Sequence, residues 1–203
     1  MTLQKPYAEL KKQAEKQNDS VRGGGSWRIL DFVLSLILTM LAVFCIRSVL
    51  IDPIRVKGTS MLDTLEEGEI MLVNRLSFAF TKPKQGEVVI CYYPDDYYAN
   101  RGKAYNSRVK RVIANEGDTI EAIDGTVYVN GVALDEPYLT ESRVGKFNIT
   151  KQTVPDGCCF VLGDNRSVSI DSRDPQVGPI PYTRILGKVK LVLFPLSELR
   201  AIH

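Results

Sequence analysis

Thr119-Ile-Glu-Ala-Ile-Asp-Gly-Thr-Val-Tyr-Val-Asn-Gly-Val-Ala-Leu134 decides the fold class. Asp124-Gly125 and Asn130-Gly131 are the dipeptides that supply positive φ at both centres of a two-residue hairpin turn. Between and around them lie short runs rich in β-branched residues. The spacing therefore predicts consecutive antiparallel strands at 119–123, 126–129 and 132–134. Upstream, Glu87-Val-Val-Ile-Cys-Tyr92 reads as a strand entered through a turn at Gly86. Downstream, Cys158–Leu162 and Lys188–Leu193 read as two more. The domain beyond Asp52-Pro53 is accordingly mainly antiparallel β, with Pro94–Ala104 as a solvated loop.

Before Asp52 the texture differs. Ile29 to Ile46 reads ILDFVLSLILTMLAVFCI, nearly unbroken apolar sequence without the polar stripe of a soluble amphipathic helix. Eighteen residues make a helix of roughly 27 Å, close to the hydrocarbon thickness of a bilayer. A cleavable signal peptide would start nearer residue 1 and end in small residues, whereas Arg47-Ser-Val-Leu-Ile-Asp-Pro53 follows here. The expected organisation is a tail over 1–28, a transmembrane anchor over 29–51 and a β-rich domain over 52–203. Lys5, Lys11, Lys12, Lys16, Arg22 and Arg28 precede the span, against Arg47, Arg55 and Lys57 after it. That asymmetry predicts a cytoplasmic N-terminus, a domain outside the plasma membrane, and the lipid bilayer as a partner. Gly23-Gly-Gly-Ser26 is a flexible joint.

Composition narrows the function. Of 203 residues, 44% are hydrophobic and 25% charged, enough for one domain with a real core. Residues 1–51 hold seven Lys/Arg and four Asp/Glu, and 52–203 hold nineteen and twenty. A main domain of net −1 argues against nucleic acid as a partner. Cys45, Cys91, Cys158 and Cys159 form no CxxC pair, and with one histidine this argues against a metal site. A disulfide from Cys91 to one of the adjacent pair and buried free thiols both remain open. The only histidine is His203, the final residue, so Ser-His-Asp and Cys-His chemistries lack their base. A hydrolase built on this chain would use Lys, Asp or Glu.

Three segments could carry such chemistry. Val56-Lys-Gly-Thr-Ser-Met-Leu-Asp-Thr-Leu65 places Ser60 after a glycine bend, and by itself reads as an ordinary turn. Ser107-Arg-Val-Lys-Arg-Val-Ile-Ala-Asn115 puts Lys110 inside an apolar β stretch, where it is either a snorkelling surface residue or a desolvated base. Val161-Leu-Gly-Asp-Asn-Arg-Ser-Val-Ser-Ile-Asp-Ser-Arg173 follows a strand as a polar run, compatible with a plain loop.

Taken together and in this order behind an anchor, these segments resemble the conserved boxes of type I signal peptidases. Gly58-Thr-Ser-Met61 resembles the nucleophile box, and Gly86-Glu-Val-Val-Ile90 the strand after it. Val109-Lys-Arg-Val112 with Glu116-Gly-Asp118 resembles the lysine box, and Gly163-Asp-Asn-Arg166 with Ser169, Asp171, Ser172 and Arg173 the last. The single anchor and short spacing resemble the compact, Gram-positive-type members. The resemblance implies a β catalytic domain of the signal-peptidase type, no cofactor, and secretory preproteins as substrates. It implies Ser60 as nucleophile, Lys110 as general base and Ser169 as the group orienting the amine. Asp171 and Arg173 would hold the last box, Gly163 would permit its turn, and Met61 would line the pocket for alanine-sized residues before the cut. Three positions depart from the family pattern: Gly58 where some members have serine, Asp63 in place of proline, and Ser167-Val168 in place of Asp-Asn. Other readings are a self-cleaving Ser-Lys protease of the SOS-repressor kind, a processing peptidase for conjugation proteins or pilins, and an inactive membrane-tethered binding module.

Overall fold

The apolar run after the glycine joint folds as one helix, α1 (Trp27–Phe44), all of whose side chains are exposed. In the computed structural model, residues 9, 11–13, 27–44, 51–78, 80–93 and 107–202 are described. Contacts divide the chain into two units, Met1–Arg47 and Ser48–His203. The expected anchor over 29–51 is corrected at its distal end, because Ile51 already opens a strand, β1 (Ile51–Arg55). The aliphatic residues that invite extension of the span are equally good strand formers. The expected Pro94–Ala104 loop, Cys45 and His203 lie outside the described residues.

The second unit is antiparallel throughout its strand pairs. After β1 come β2 (Ile70–Asn74), β3 (Val88–Cys91), β4 (Arg108–Asn115), β5 (Thr119–Ile123), β6 (Thr126–Val129) and β7 (Val132–Ala133). A single helical turn, α2 (Glu141–Val144), leads to β8 (Ile149–Thr153), β9 (Cys158–Leu162), β10 (Ile180–Pro181), β11 (Ile185–Phe194) and β12 (Arg200–Ala201). The larger sheet is ordered β1-β2-β11-β3-β4-β9-β10, with β12 on β11, and the smaller one β7-β6-β5-β8. Both hairpin turns of the smaller sheet fall where the sequence predicts them. Asp124 and Gly125 have φ of 48° and 91°, and Asn130 and Gly131 have 54° and 79°. β1 contains Pro53, which cannot donate to a ladder, and the strand lies at the sheet edge where that donor is not needed.

β4 positions the site. Its strand neighbours are β3, with Lys110 opposite Val89, and β9, with Arg111 opposite Leu162. Simple alternation predicts one covered face, yet Lys110 through Ala114 are all buried. Val109 packs on the cluster of Met61, Leu65 and Met71, Val112 on that of Cys91, Tyr93 and Val161, and Ile113 on that of Ile120 and Phe160. A register shift between Val112 and Ala114 bends the strand across these cores. A lysine placed there has no surface to snorkel to.

Candidate active site

Ser60 sits in a tight turn that follows β1. Gly58 enters it at φ 81°, a region that favours glycine. Leu65 N–H donates to the Met61 carbonyl at 2.7 Å, and the buried side chains of Met61 and Leu65 fasten the turn to the core. Met61 is therefore a core residue and does not line the cavity, contrary to expectation. The turn's first two carbonyls accept from one residue: Asn165 N–H reaches Ser60 O at 3.0 Å, and Asn165 Nδ2 reaches Thr59 O at 3.1 Å. Asp63 has φ 80°, which a proline ring cannot adopt, so the departure from the family pattern there is a different local backbone. Its carboxylate accepts from Thr140 Oγ1 at 2.6 Å, and Arg143 Nε lies at 3.4 Å.

Lys110 comes from the middle of β4 and is 1% exposed. Its Nζ lies 2.6 Å from Ser60 Oγ and 3.0 Å from the Val109 carbonyl. Desolvation by burial is the largest influence on the amine and brings its pKa from 10.5 down to about 8. Nearby Asp171 and Asp164 oppose that shift, and Arg108 adds to it. A neutral amine has two N–H bonds and one lone pair. In that form one N–H donates to Val109 O and the lone pair can accept the Ser60 hydroxyl, with the second N–H left over.

The segment after β9 supplies the scaffold. Gly163 does not occupy a left-handed conformation, so its expected role as a turn-former is corrected. A Cβ there would lie 2.5 Å from Ser60 O and 2.6 Å from Ser169 Cβ, and the residue is glycine because two segments close on its backbone. Its N–H donates to Asp171 Oδ2 at 3.0 Å. Asp171 pairs with Arg173 at 2.8 Å, and Arg173 reaches on to the carbonyls of Arg166 and Ser169. Burial pushes the Asp171 carboxyl up, but the Arg173 guanidinium, the Ser169 hydroxyl and the Gly163 N–H outweigh it and hold the pKa below the ordinary value. Ser169 Oγ lies 3.5 Å from the Ile170 carbonyl. Among the described residues no hydrogen bond joins Ser169 to Lys110, whose amine meets Ser60 and Val109.

Sequence reading missed the tie between the lysine strand and the segment after β9. Arg111, beside Lys110, makes a bidentate pair with Asp164 at 3.0 and 2.8 Å, with side chains 3% and 1% exposed. Arg111 also donates to Gly86 O at 2.7 Å and lies 3.8 Å over the Tyr138 ring. Thr64 Oγ1 donates to the same Asp164 at 2.5 Å, so one carboxylate joins the serine turn to the lysine strand. The only sequence signal for this is the adjacency of Arg111 to Lys110 and of Asp164 to Gly163. Cys91, Cys158 and Cys159 are free thiols, which leaves no disulfide among the described residues. Burial pushes Cys91 up to about 12, so it stays protonated beside Lys110.

Ser60 and Lys110 open onto a cavity of about 630 Å³, walled by residues 53–55, 57–60 and 107–110, and by Met71, Val168 and Ile170. A serine hydroxyl held against a desolvated lysine amine, with both side chains on a cavity, is an arrangement in which the amine can activate the oxygen as a nucleophile. The profile of the family described as "Signal peptidase, peptidase S26" matches residues 29–194. Signal peptidase I of Bacillus licheniformis is 36% identical over 85% of this chain and 92% of its own length. Signal peptidase I T of Bacillus subtilis is 35% identical over 84% and 88%, and signal peptidase IB of Staphylococcus aureus 34% over 85% and 93%. The chain is a serine peptidase, a hydrolase. More narrowly, it belongs to the signal peptidase family, peptidase S26.

Proposed function

We propose that the chain removes N-terminal signal peptides from exported preproteins, with Ser60 as nucleophile and Lys110 as general base. The observation that carries this reading is the 2.6 Å separation of Ser60 Oγ from the Nζ of a lysine that is almost wholly buried. Neutral Lys110 takes the Ser60 proton as Oγ attacks the scissile carbonyl. The oxyanion would be met by the Ser60 N–H, which has no partner among the described residues. Collapse of the tetrahedral species returns the proton from Lys110 to the departing amine and leaves an ester on Ser60. Water, deprotonated by the same amine, then releases the signal peptide. Asp171, Arg173 and Gly163 act as positioning residues behind this pair.

The pH dependence follows from the lysine. Only the neutral amine can accept a proton, and its pKa is about 8. At pH 7 about one tenth of the enzyme is competent, and kcat/KM should climb close to tenfold from pH 6 to 7 and level off above pH 8. A profile that instead falls between pH 6 and 8 would exclude Lys110 as the base.

We further propose that α1 is a single-pass anchor in the plasma membrane, with the N-terminus in the cytoplasm and the β unit outside. Its 18 residues and exposed apolar surface support a span, and the six-to-three distribution of flanking cations supports the orientation. Protease added to protoplasts should digest the β unit and leave a tag at residue 1 intact. A tag cleaved from outside would reverse the orientation.

A further inference from the structure

Two kinds of apolar surface line the cavity that holds Ser60 and Lys110. Ile54, Met71 and Val109 form a recessed wall. All three belong to or pack against the core cluster of Met61 and Leu65, so that wall is set by close packing and does not yield to a larger ligand. Val168 and Ile170 differ in kind. They are 57% and 63% exposed, the two large aliphatic side chains of an otherwise polar segment, and they stand at the lip of the cavity. The backbone that carries them is pinned. Ser169 N–H donates to Asn165 O at 3.0 Å, Arg173 Nη2 to Ser169 O at 3.1 Å, and Tyr93 OH to Ile170 O at 2.7 Å. Asn165 in turn binds the carbonyls of Thr59 and Ser60, and Ser60 and Ser169 both close on the backbone of Gly163. The lip is therefore tied to the nucleophile turn and begins beside it.

Neighbouring aliphatic side chains left in water on a pinned loop, beside a reactive pair, mark a contact surface. In the proposed reaction the occupant of this cavity is the preprotein, and the lip is continuous with the site that cuts it. We propose that Val168 and Ile170 form an open apolar subsite for a bulky hydrophobic side chain of the preprotein, at the second residue before the scissile bond or at one of the first two after it. The inference rests on the proposed peptidase reading. To the small residues expected before the cut it adds a position where larger, apolar residues are favoured. Val168 stands where the family pattern has asparagine, so the apolar character of the lip belongs to this chain and not to that pattern. Because the lip is open to solvent, it sets no upper limit on side-chain length, and the gain follows the apolar area covered.

The test uses the full-length chain in neutral detergent, with peptides that carry alanine at the first and third positions before the cut. Leu, Asn or Lys is placed in turn at the second position before it and at the first two after it. Leu and Asn have nearly the same shape, so their ratio reads apolar contact and not size. At one or more positions kcat/KM should favour Leu over Asn by about fivefold. In Val168→Asn/Ile170→Asn that ratio should approach one. Both peptides meet the same preparation, so a reduced folded fraction cannot change the ratio. Val168→Glu/Ile170→Glu should reverse the order so that Lys is best, a gain that misfolding cannot produce. A ratio of one at every position in the unaltered enzyme, or a Leu preference that survives both double substitutions, would overturn the subsite. So would a loss in the Asn variant that appears only on lipid vesicles and is equal for Leu and Asn peptides, because the two side chains would then serve the bilayer. Failure of the unaltered enzyme to cut any of these peptides would instead remove the peptidase reading on which the subsite rests.

Discussion

Ser60→Ala and Lys110→Ala should each reduce preprotein processing by at least about 10⁴-fold while leaving a folded protein. A methyl group cannot supply the attacking oxygen. Without Lys110 the hydroxyl keeps its proton, because the neighbouring Cys91 is held protonated by burial and cannot take the base's place. Lys110→Arg should be equally inert, since a guanidinium does not give up its proton. The two residues act as one unit, so the double variant should be little worse than either single one. Lys110→Met separates chemistry from folding. Because the folded pKa of about 8 lies below the unfolded 10.5, the unfolded chain binds more protons between those values, and stability rises with pH across that window. Below pH 8 the whole penalty is present, on the order of 3 kcal/mol. Lys110→Met should therefore be inactive yet at least as stable as the parent at pH 7 in urea denaturation. Processing by Lys110→Ala at more than a few per cent of the parent rate would mean that another group is the base.

Asp164→Ala should destabilise strongly, by about 3–5 kcal/mol, because it removes the carboxylate that neutralises the buried Arg111 charge. Against a total stability of roughly 5–15 kcal/mol this is a large fraction, and urea midpoints will report it. Activity should fall further than the folded fraction does, since Thr64 loses its acceptor and the serine turn its tie to β4. Replacing both partners, as in Arg111→Met/Asp164→Leu, should recover much of the stability and little of the activity. Equal recovery of both would show that the pair only supports the fold.

The parts of this molecule legible in its sequence are those decided by neighbours in the chain. Asp-Gly and Asn-Gly specify their turns locally, and the strands flanking them fall at the expected residues. β8 (Ile-Thr-Lys-Gln-Thr) was not legible, because all but its first residue faces solvent and no apolar alternation marks it. β1 was hidden in the tail of the hydrophobic span. At the site, Ser60 and Lys110 were nominated only by the family resemblance of the segments taken together, and the structure brings them within hydrogen-bond distance. What could not be read depends on contacts through space: the close approach at Gly163, the Val109 carbonyl under the amine, the core position of Met61, and the Arg111–Asp164 pair across 53 residues.

The order of the larger sheet has a kinetic consequence. β11, the last long strand, lies between β2 and β3, so the hairpin leading to and from Ser60 is not hydrogen-bonded to the strands that carry Lys110 until β11 is inserted between them. Closing contacts over such long stretches of chain is slow, and it cannot begin on a growing polypeptide until residues 185–194 have emerged. The ladder that aligns the Ser60 turn with β4 is therefore completed late along the chain, by residues 185–194.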